Sequence, residues 1–435
     1  MTVKTKFPYD KDYVTSFSNK KDEPEWMKSL RLQAFDQAHD LNMPEPDKTN
    51  IRRWNFTNFE LGAEGSTISS LEELPNELQD FIDQDNVPSN IHIQQNGTVA
   101  FSTLSKDLQE KGVIFTDIFT AMKDHSDLVE KYFMKEAVAV DEHRLTALHA
   151  AYLNGGVFVY VPEGVKVEEP IQSIFWQENE SSALFNHVLI VADKDSELTF
   201  VENYISHNTE QENVSNIIAE VFAHDDANVS YGSVDNFAAG TTSYINRRGV
   251  ADERATIDWA LGQMNDGNTV SENVTHLVGQ FSVSHARTVT AGRGKQTQNF
   301  TAITHHHGKD SDGQILQRGV LKENTTSIFN AIGKIEHGAT RANAEQESRV
   351  LMLSKDARGD ANPILLIDED DVTAGHAASV GRVDEFQMYY LQSRGIPKQE
   401  AERLIILGFL EPVVDELPIP SIQKQLRTLI ERKIY

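Results

Sequence analysis

The amino-acid sequence predicts a mainly β protein, a β-solenoid placed between two helical segments, and three observations support this prediction. Between residues 151 and 382, short runs of β-branched and aromatic residues alternate with turns rich in Asp, Asn, Ser and Gly. A degenerate repeat recurs within this part of the chain. Residues 1–150 and 383–435 instead place apolar residues at helical spacing. We therefore predict an N-terminal helical and loop-rich domain, a β core and a C-terminal helical domain with these boundaries.

The repeat is visible in three segments of nine residues. Ala192–Phe200, Ala223–Tyr231 and Ala251–Trp259 each begin with Ala, cross a polar turn and end with an apolar residue, any residue and an aromatic residue. Their starts are 31 and 28 residues apart. A period of this size, made of strands alone, suits the stacked coils of a β-solenoid. A β-sandwich remains the alternative, because many short strands are typical of that fold as well.

Helices are predicted at both ends of the chain. Asp22–Pro24 marks a helix start, because acidic residues and proline are favoured in the first turn. The other predicted helices are Leu104–Asp124, Ser126–Lys135, Asp384–Ser393, Lys398–Glu411 with Pro412 ending or kinking it, and Ile422–Lys433 with Ser421 as N-cap. The segment Glu402–Val414 is apolar around most of its circumference, so either the β core or another chain must cover it.

Composition excludes several classes of function. The chain has 435 residues and no cysteine, so disulfides, thiolate metal sites and cysteine nucleophiles are excluded for the chain acting alone. The formal net charge of −26 repels phosphate backbones and anionic lipids, so nucleic acid and membranes are poor partners. Met1–Asp10 lacks a signal-peptide pattern, and no apolar run is long enough to span a bilayer. We expect a cytoplasmic protein.

The most conspicuous candidate site is the string His305–His307. Adjacent side chains of a strand point to opposite faces, so at most His305 and His307 share a side and a metal ion. Asp310 and Asp312 would add oxygen ligands, whereas a solvated polar turn explains the same string. The other histidines of the strand-rich region, each expected to be a hydrogen-bonded structural residue on this evidence, are His276, His285, His337 and His376.

Two alternative functions follow from these residues. The string Asp368–Asp371 offers close carboxylates of the kind that glycoside hydrolysis needs, but a chain with 66 acidic residues contains such pairs without any catalytic purpose. A β-helix carbohydrate-active enzyme of the secreted type is therefore one alternative. A His-dependent metal-binding protein built on His305–His307 is the other.

The C-terminal third carries motifs that resemble a known family. In chain order they are Gly319–Leu321, Arg349–Ser354, Asp371–Val372, Gly375–Gly381 and Tyr390–Ile396. Their order and spacing resemble the SufB/SufD family of iron–sulfur cluster assembly proteins, and the resemblance covers the chain from about residue 150 to its end. Because SufB-type members are expected to carry a cysteine, this chain is most similar to the SufD type.

The resemblance implies both a fold and a role. The fold is a right-handed parallel β-helix between helical terminal domains. The implied role is that of a non-catalytic scaffold, and so not an enzyme, in a cytoplasmic complex with a SufB-like subunit and a SufC-like ATPase. No cofactor is expected to bind stably, and a transient Fe–S cluster is expected at the SufB interface. A homodimer is an alternative assembly.

The same resemblance assigns site residues. It places the family's functional histidine at His376, where the imidazole would lie at the SufB interface and either bind iron transiently or relay a proton. His337–Thr340 matches the family's tetrapeptide better, but the order of motifs along the chain favours His376. The residues expected to bind the SufC-like ATPase are Arg394, Gly395, Leu404, Ile405, Gly408, Phe409 and Val413.

Overall fold

Two long stacks of strands run through the computed structural model of the chain, which describes residues 7–62, 64–79, 81–82, 88–178, 182–206, 212–417 and 419–434. The strands are β1 Ile91–Gln95, β2 Thr98–Thr103, β3 Ile114–Asp117, β4 Gly155–Val161, β5 Ile171–Gln177, β6 Ala183–Ala192, β7 Glu197–Ser206, β8 Asn213–Ala223, β9 Asn228–Asn236, β10 Thr241–Ala251, β11 Thr256–Gln263, β12 Thr269–Leu277, β13 Val283–Gly292, β14 Thr297–His306, β15 Asp312–Leu321, β16 Thr326–Ile335, β17 Asn343–Met352, β18 Arg358–Ile367 and β19 Thr373–Arg382. The helices are α1 Lys11–Lys21, α2 Glu25–Asp40, α3 Asn76–Gln79, α4 Lys106–Glu110, α5 Ile118–Asp124, α6 Ser126–Tyr132, α7 Arg144–Tyr152, α8 Glu385–Ser393, α9 Lys398–Val414 and α10 Pro420–Ile434, and a 3₁₀ turn spans Leu71–Glu73. Met1–Lys6, the start of the stretch that lacks a signal-peptide pattern, lie outside the described residues.

The strands from β4 to β19 wind into a parallel β-solenoid. Even-numbered strands stack in a nine-stranded sheet and odd-numbered strands in a ten-stranded sheet, so each turn contributes one strand to each sheet and there are about eight turns. Each strand pairs in parallel with the strand two places further along, as β6 does with β8 and β7 with β9. At the N-terminal end, β3 is the ninth strand of the first sheet and pairs antiparallel with β4. The second sheet is completed by β1, which pairs in parallel with β5, and by β2, which pairs antiparallel with β1. The predicted solenoid is confirmed, and the sandwich alternative is wrong.

The sequence repeat corresponds to the coil register. Ala192 lies opposite Ala223, which lies opposite Ala251. The aromatic positions also lie opposite one another, and we call this set of opposed inward-facing positions the interior column. In it Phe200, Tyr231 and Trp259 stack with ring centroids 5.4 and 4.9 Å apart. All three rings are fully buried inside the solenoid. The repeat therefore records which side chains point inward, because residues opposite each other in a parallel sheet share a face.

The helices cover the outer faces of the two sheets. N-terminal helices cover the nine-stranded sheet, where Phe185 packs on Phe59 and Tyr152 with ring centroids 5.2 and 5.8 Å away. The C-terminal helices α9 and α10 cover the ten-stranded sheet. Gly262 of β11 allows this close packing, since a Cβ at that position would lie 2.3 Å from Cδ2 of Leu426 in α10. Each sheet is thus buried on both faces over most of its length.

A buried polar contact fastens the N-terminal region to the solenoid. The carboxyl group of Glu220 in β8 accepts hydrogen bonds from the backbone N–H groups of Met134 at 2.8 Å and Val138 at 3.1 Å. Its Oε2 lies 3.1 Å from Nε2 of His187, and both side chains are fully buried. Burial raises the pKa of Glu220 to about 8 and lowers the pKa of His187 to about 3, so it favours the neutral form of each group.

Three local predictions require correction. Leu104–Asp124 is not one helix, because Ile114–Asp117 forms β3, which pairs with β4 between the short helices α4 and α5. The helix predicted as Lys398–Glu411 continues to Val414 with Pro412 inside it, so of the two predicted effects of Pro412 the helix end is wrong. Ser421 lies inside α10 and is not its N-cap, because that helix begins at Pro420, and proline is tolerated at a first helical position. Among the described residues, no helix is both long and apolar enough to cross a membrane.

Replacing Trp259 with Ala is expected to lower the free energy of unfolding by about 3–5 kcal/mol. The indole ring is fully buried, stacks on Tyr231, and donates its N–H to Oγ1 of Thr275 at 2.9 Å. Urea unfolding followed by circular dichroism measures the change. Phe281→Ala is the control, because that ring is 49% exposed, and its expected effect is below about 0.5 kcal/mol. Equal losses of unfolding free energy in the two variants would show that Trp259 is not packed in the solenoid interior.

Candidate functional site

The last coil, formed by β18 and β19, is the least covered part of the solenoid. β19 pairs with β17 and β18 pairs with β16, and no further strand borders either of them among the described residues. Their outer edges therefore present backbone N–H and C=O groups in position to pair with another strand. Nearly every residue of β19 is exposed, whereas the central strands are buried. The solenoid consequently ends in an open coil.

His376 lies in this open coil, at a position that the register defines. It is opposite Gln346 of β17, which is opposite Ile315 of β15, which is opposite Ala286 of β13. Ala286 in turn lies opposite Trp259. The column that begins with the aromatic residues of the repeat therefore ends at His376. Its side chain has the inward-facing position of a buried residue but is exposed, because no coil follows it.

We call the exposed residues of β18, β19 and α8 the open end of the solenoid. Several of these residues are apolar. Within the strands, Leu366, Ile367 and Val380 are between 37% and 48% exposed. In α8, Phe386 is 84% and Tyr389 is 73% exposed. Single exposed apolar residues are ordinary, but a group of aromatic and branched side chains beside two free strand edges is typical of an interface.

An open cavity of about 300 Å³ lies beside His376. Its lining includes Glu345 and Glu347 of β17, which are opposite Gly375 and Ala377. The carboxylate of Glu347 is ion-paired with Arg318 and Arg349. The site thus offers an exposed imidazole beside a cavity at a surface that a second chain can reach.

The residues predicted to bind the ATPase differ in how far they are buried. Arg394, Gly395, Leu404 and Gly408 are exposed, Ile405 and Phe409 are half-buried, and Val413 is fully buried. The ring of Phe409 lies under the guanidinium group of Arg318, 5.6 Å from the ring centroid.

The apolar segment of α9 lies largely against the β core. Val413 packs against the ten-stranded sheet together with Ile406 and Leu410. The β core therefore covers most of the segment Glu402–Val414, and Leu404 is its main apolar side chain left on the surface.

The string His305–His307 divides between the two faces of β14, as strand alternation predicts. His306 is buried, with Nδ1 2.8 Å from Oγ of Ser311, while His305 and His307 share the outer face. Asp310 and Asp312 do not join them. Asp310 is ion-paired with Arg341, and Asp312 binds Asn343 and lies near His285.

His276 of β12 lies opposite His305 and is a third member of the group formed by His305 and His307. The sequence did not predict that it joins them. His276 precedes His305 by 29 residues, about one period of the repeat, and this spacing is a signal that could have identified it.

The remaining candidates have structural surroundings. His337 is exposed in the turn before β17, and its Nδ1 is 3.5 Å from Glu369. The Glu369 carboxylate accepts backbone hydrogen bonds from Gly338 at 2.8 Å and Asp370 at 3.0 Å. The string Asp368–Asp371 therefore forms a turn that is stacked on the turn of the preceding coil.

The architecture is thus a parallel solenoid flanked by helices, with an open terminal coil, and its sequence matches one known family over both of its parts. Residues 175–409 match the family described as "SUF system FeS cluster assembly, SufBD core domain", and residues 9–173 match the SufBD protein N-terminal region. The chain belongs to the SufBD family of iron–sulfur cluster assembly proteins, and the family predicted from the C-terminal motifs is confirmed.

Individual relatives agree with this assignment. The chain is 60% identical over 436 residues to the iron–sulfur cluster assembly protein SufD of Bacillus subtilis (strain 168), with the whole of both chains covered. It is 28% identical over 416 residues to SufBD family proteins of Staphylococcus saprophyticus and Staphylococcus epidermidis, covering 93% of this chain and 89% of each relative. The predicted similarity to the SufD type is also confirmed.

The pKa of His285 in β13 tests the interaction between its ring and the carboxylates of Asp258 and Asp312. The carboxylates of Asp258, 2.8 Å from Nδ1, and of Asp312, 3.9 Å from Nε2, raise this pKa to about 9. A raised pKa in the folded state means that the imidazolium stabilises the fold fully below about pH 6.5 and that this contribution disappears as the pH rises through about 9. The difference in unfolding free energy between the wild type and His285→Gln is therefore expected to shrink between pH 6.5 and pH 9.5. NMR titration of the ring would contradict the assignment if the midpoint lay near 6.5.

Proposed function

We propose that the chain is a non-catalytic scaffold subunit of a cytoplasmic iron–sulfur cluster assembly complex, in which it pairs with a SufB-like subunit through the open end. The observation that carries this proposal is the interior column that ends at the exposed His376. A second solenoid docked there would cover the column and pair with the free edges of β18 and β19. A second copy of this chain is the competing occupant, and native mass spectrometry of the chain with and without the SufB-like subunit distinguishes the two assemblies.

At such a junction His376 would act on the nascent cluster as substrate. Its imidazole supplies one nitrogen that either binds iron transiently or relays a proton. Thiolates are the usual ligands of Fe–S clusters, and this chain has no cysteine, so the sulfur ligands would come from the partner subunit. This division of ligands explains why a shared surface suits cluster assembly better than a closed pocket in one chain.

Replacing His376 with Ala is expected to leave assembly of the complex unchanged and to reduce cluster formation at least about tenfold, the scale of loss seen when a group that supports a metal site is removed. The side chain is exposed, so its loss leaves the fold intact. Co-purification with the SufB-like and SufC-like partners measures assembly, and absorbance of the reconstituted complex measures cluster content.

The matched control is His337→Ala, which removes another exposed imidazole, in a turn outside the column. Normal cluster formation in His376→Ala, or an equal loss in both variants, would contradict the proposed role.

The C-terminal helices support a second proposed contact, with the SufC-like ATPase. The exposed members of the predicted set, Arg394, Gly395, Leu404 and Gly408, lie at the end of α8 and along α9. Phe409 connects this surface to the solenoid, because it contacts Arg318, whose ion-pair partner Glu347 lines the cavity beside His376. Movement of α9 on ATP-driven closure would reach the open end through these contacts.

Leu404→Asp is expected to weaken binding of the SufC-like ATPase at least about tenfold, because it places a charge in the centre of the proposed contact. Leu404 is 41% exposed, so the melting temperature of the chain alone is expected to stay within a few degrees. Thr428→Asp in α10 adds the same charge at an exposed position outside the proposed surface and serves as the control. Unchanged affinity in Leu404→Asp, measured by calorimetry, would argue against this surface.

A further inference from the structure

Three imidazoles meet on the outer face of the nine-stranded sheet, far along the chain from His376. Nδ1 of His276 lies 3.2 Å from Nε2 of His307, and the ring centroids of His305 and His307 are 3.9 Å apart. One ring nitrogen from each of the three side chains lies within 4.8 Å of the other two. His276 and His305 are half-buried, and His307 is exposed. The rings therefore converge at the surface with one side open to solvent.

The backbone around this cluster is held firmly by the stacking of adjacent coils. The N–H groups of His307 and Gly308 both donate to the carbonyl oxygen of Leu277, each at 2.9 Å. A Cβ at position 308 would lie 1.9 Å from the carbonyl oxygen of Gly279, so only glycine allows the two turns to stack this closely. The strand that carries His305 pairs directly with the strand that carries His276. The positions of the three residues are thus fixed by the solenoid.

A carboxylate orients the central ring. Nε2 of His305 lies 2.7 Å from Oε1 of Glu336, which also lies 2.6 Å from Nζ of Lys334. Imidazoles that bind metals commonly donate their second ring N–H to a carboxylate, which fixes the tautomer and the ring direction. With Nε2 carrying the proton, the lone pair of His305 is on Nδ1, which remains available as a ligand atom. Glu336 is therefore a positioning residue for this cluster.

We propose that His276, His305 and His307 form a binding site for one divalent transition-metal ion of the borderline class, for which Zn²⁺ is the natural probe. Neutral imidazole nitrogens suit such ions, whereas Mg²⁺ and Ca²⁺ prefer oxygen ligands. Zn–N bonds of about 2.0–2.1 Å place nitrogens about 3.4 Å apart, a spacing that rotation of the exposed His307 ring brings within reach. Among the described residues, no fourth His, Asp or Glu joins the group, so water or an external ligand completes the coordination.

The proposal is independent of partner binding. The three histidines project from β12 and from the end of β14 in the nine-stranded sheet, while His376 belongs to β19 in the ten-stranded sheet. Loss of one site is therefore expected to leave the other intact, and an experiment on the isolated chain tests the metal site alone.

The test is calorimetric titration of Zn²⁺ into the untagged, metal-free, full-length chain. We expect about one equivalent of tight binding and a rise in melting temperature with Zn²⁺ concentration, since a ligand that binds only the folded state stabilises it. His307→Ala is the first variant, because this exposed ring is dispensable for folding, and we expect it to weaken Zn²⁺ binding at least about tenfold with the melting temperature of the metal-free chain unchanged. His276→Gln tests the half-buried ligand in the same way.

A matched control makes the outcome decisive. His337→Ala removes an exposed imidazole outside the cluster and is expected to bind Zn²⁺ as the wild type does. Failure of the wild type to bind Zn²⁺, or unchanged affinity in both His307→Ala and His276→Gln, would overturn the proposal. An equal loss in the control variant would also overturn it, because binding would then be a property of surface histidines in general.

Discussion

The parallel register of the solenoid is the constraint on which the rest of the structure depends. Each inward-facing side chain is packed between its equivalents in the coils before and after it, so the interior is closed only while another coil follows. The aromatic stack of Phe200, Tyr231 and Trp259 shows the complete arrangement, and the exposed His376 shows what happens when the column ends. A solenoid of this kind needs a cap, and among the described residues no strand or helix covers the terminal coil.

The helices at the two ends of the chain complete the fold without closing that coil. The N-terminal region covers the outer face of the nine-stranded sheet and is fastened through the buried contact between Glu220 and the backbone of Met134 and Val138. The C-terminal helices cover the ten-stranded sheet, with glycine at position 262 allowing Leu426 to approach closely. What remains uncovered is therefore concentrated at the open end and on the distal part of the nine-stranded sheet, where the two proposed sites lie.

The sequence predicted the fold class, the repeat and the family, but it did not reveal how the repeat reaches the site. The three recognisable copies carry aromatic residues at the column position, whereas the later coils carry Ala286, Ile315 and Gln346, so the pattern disappears before His376. Polar pairs replace apolar packing there, as in the hydrogen bond between Ser348 and Gln317 at 2.8 Å. His376 was identified through family motifs, and its structural meaning required the register. Of the three clustered histidines, the sequence predicted that His305 and His307 share a face, because side chains two apart in a strand point the same way. It did not predict His276, which joins them only through the pairing of adjacent coils.

The central claim is that a partner strand completes the open coil, and hydrogen–deuterium exchange tests it most directly. The amides of β18 and β19 would be compared in the chain alone and in the complex with the SufB-like subunit, with β8 as an internal reference that is already buried. If a partner strand pairs with the free edges of β18 and β19, residues 358–382 are strongly protected in the complex and β8 changes little. Unchanged exchange in β18 and β19 in a stable complex would contradict this claim, and would show that the partner binds elsewhere on the chain.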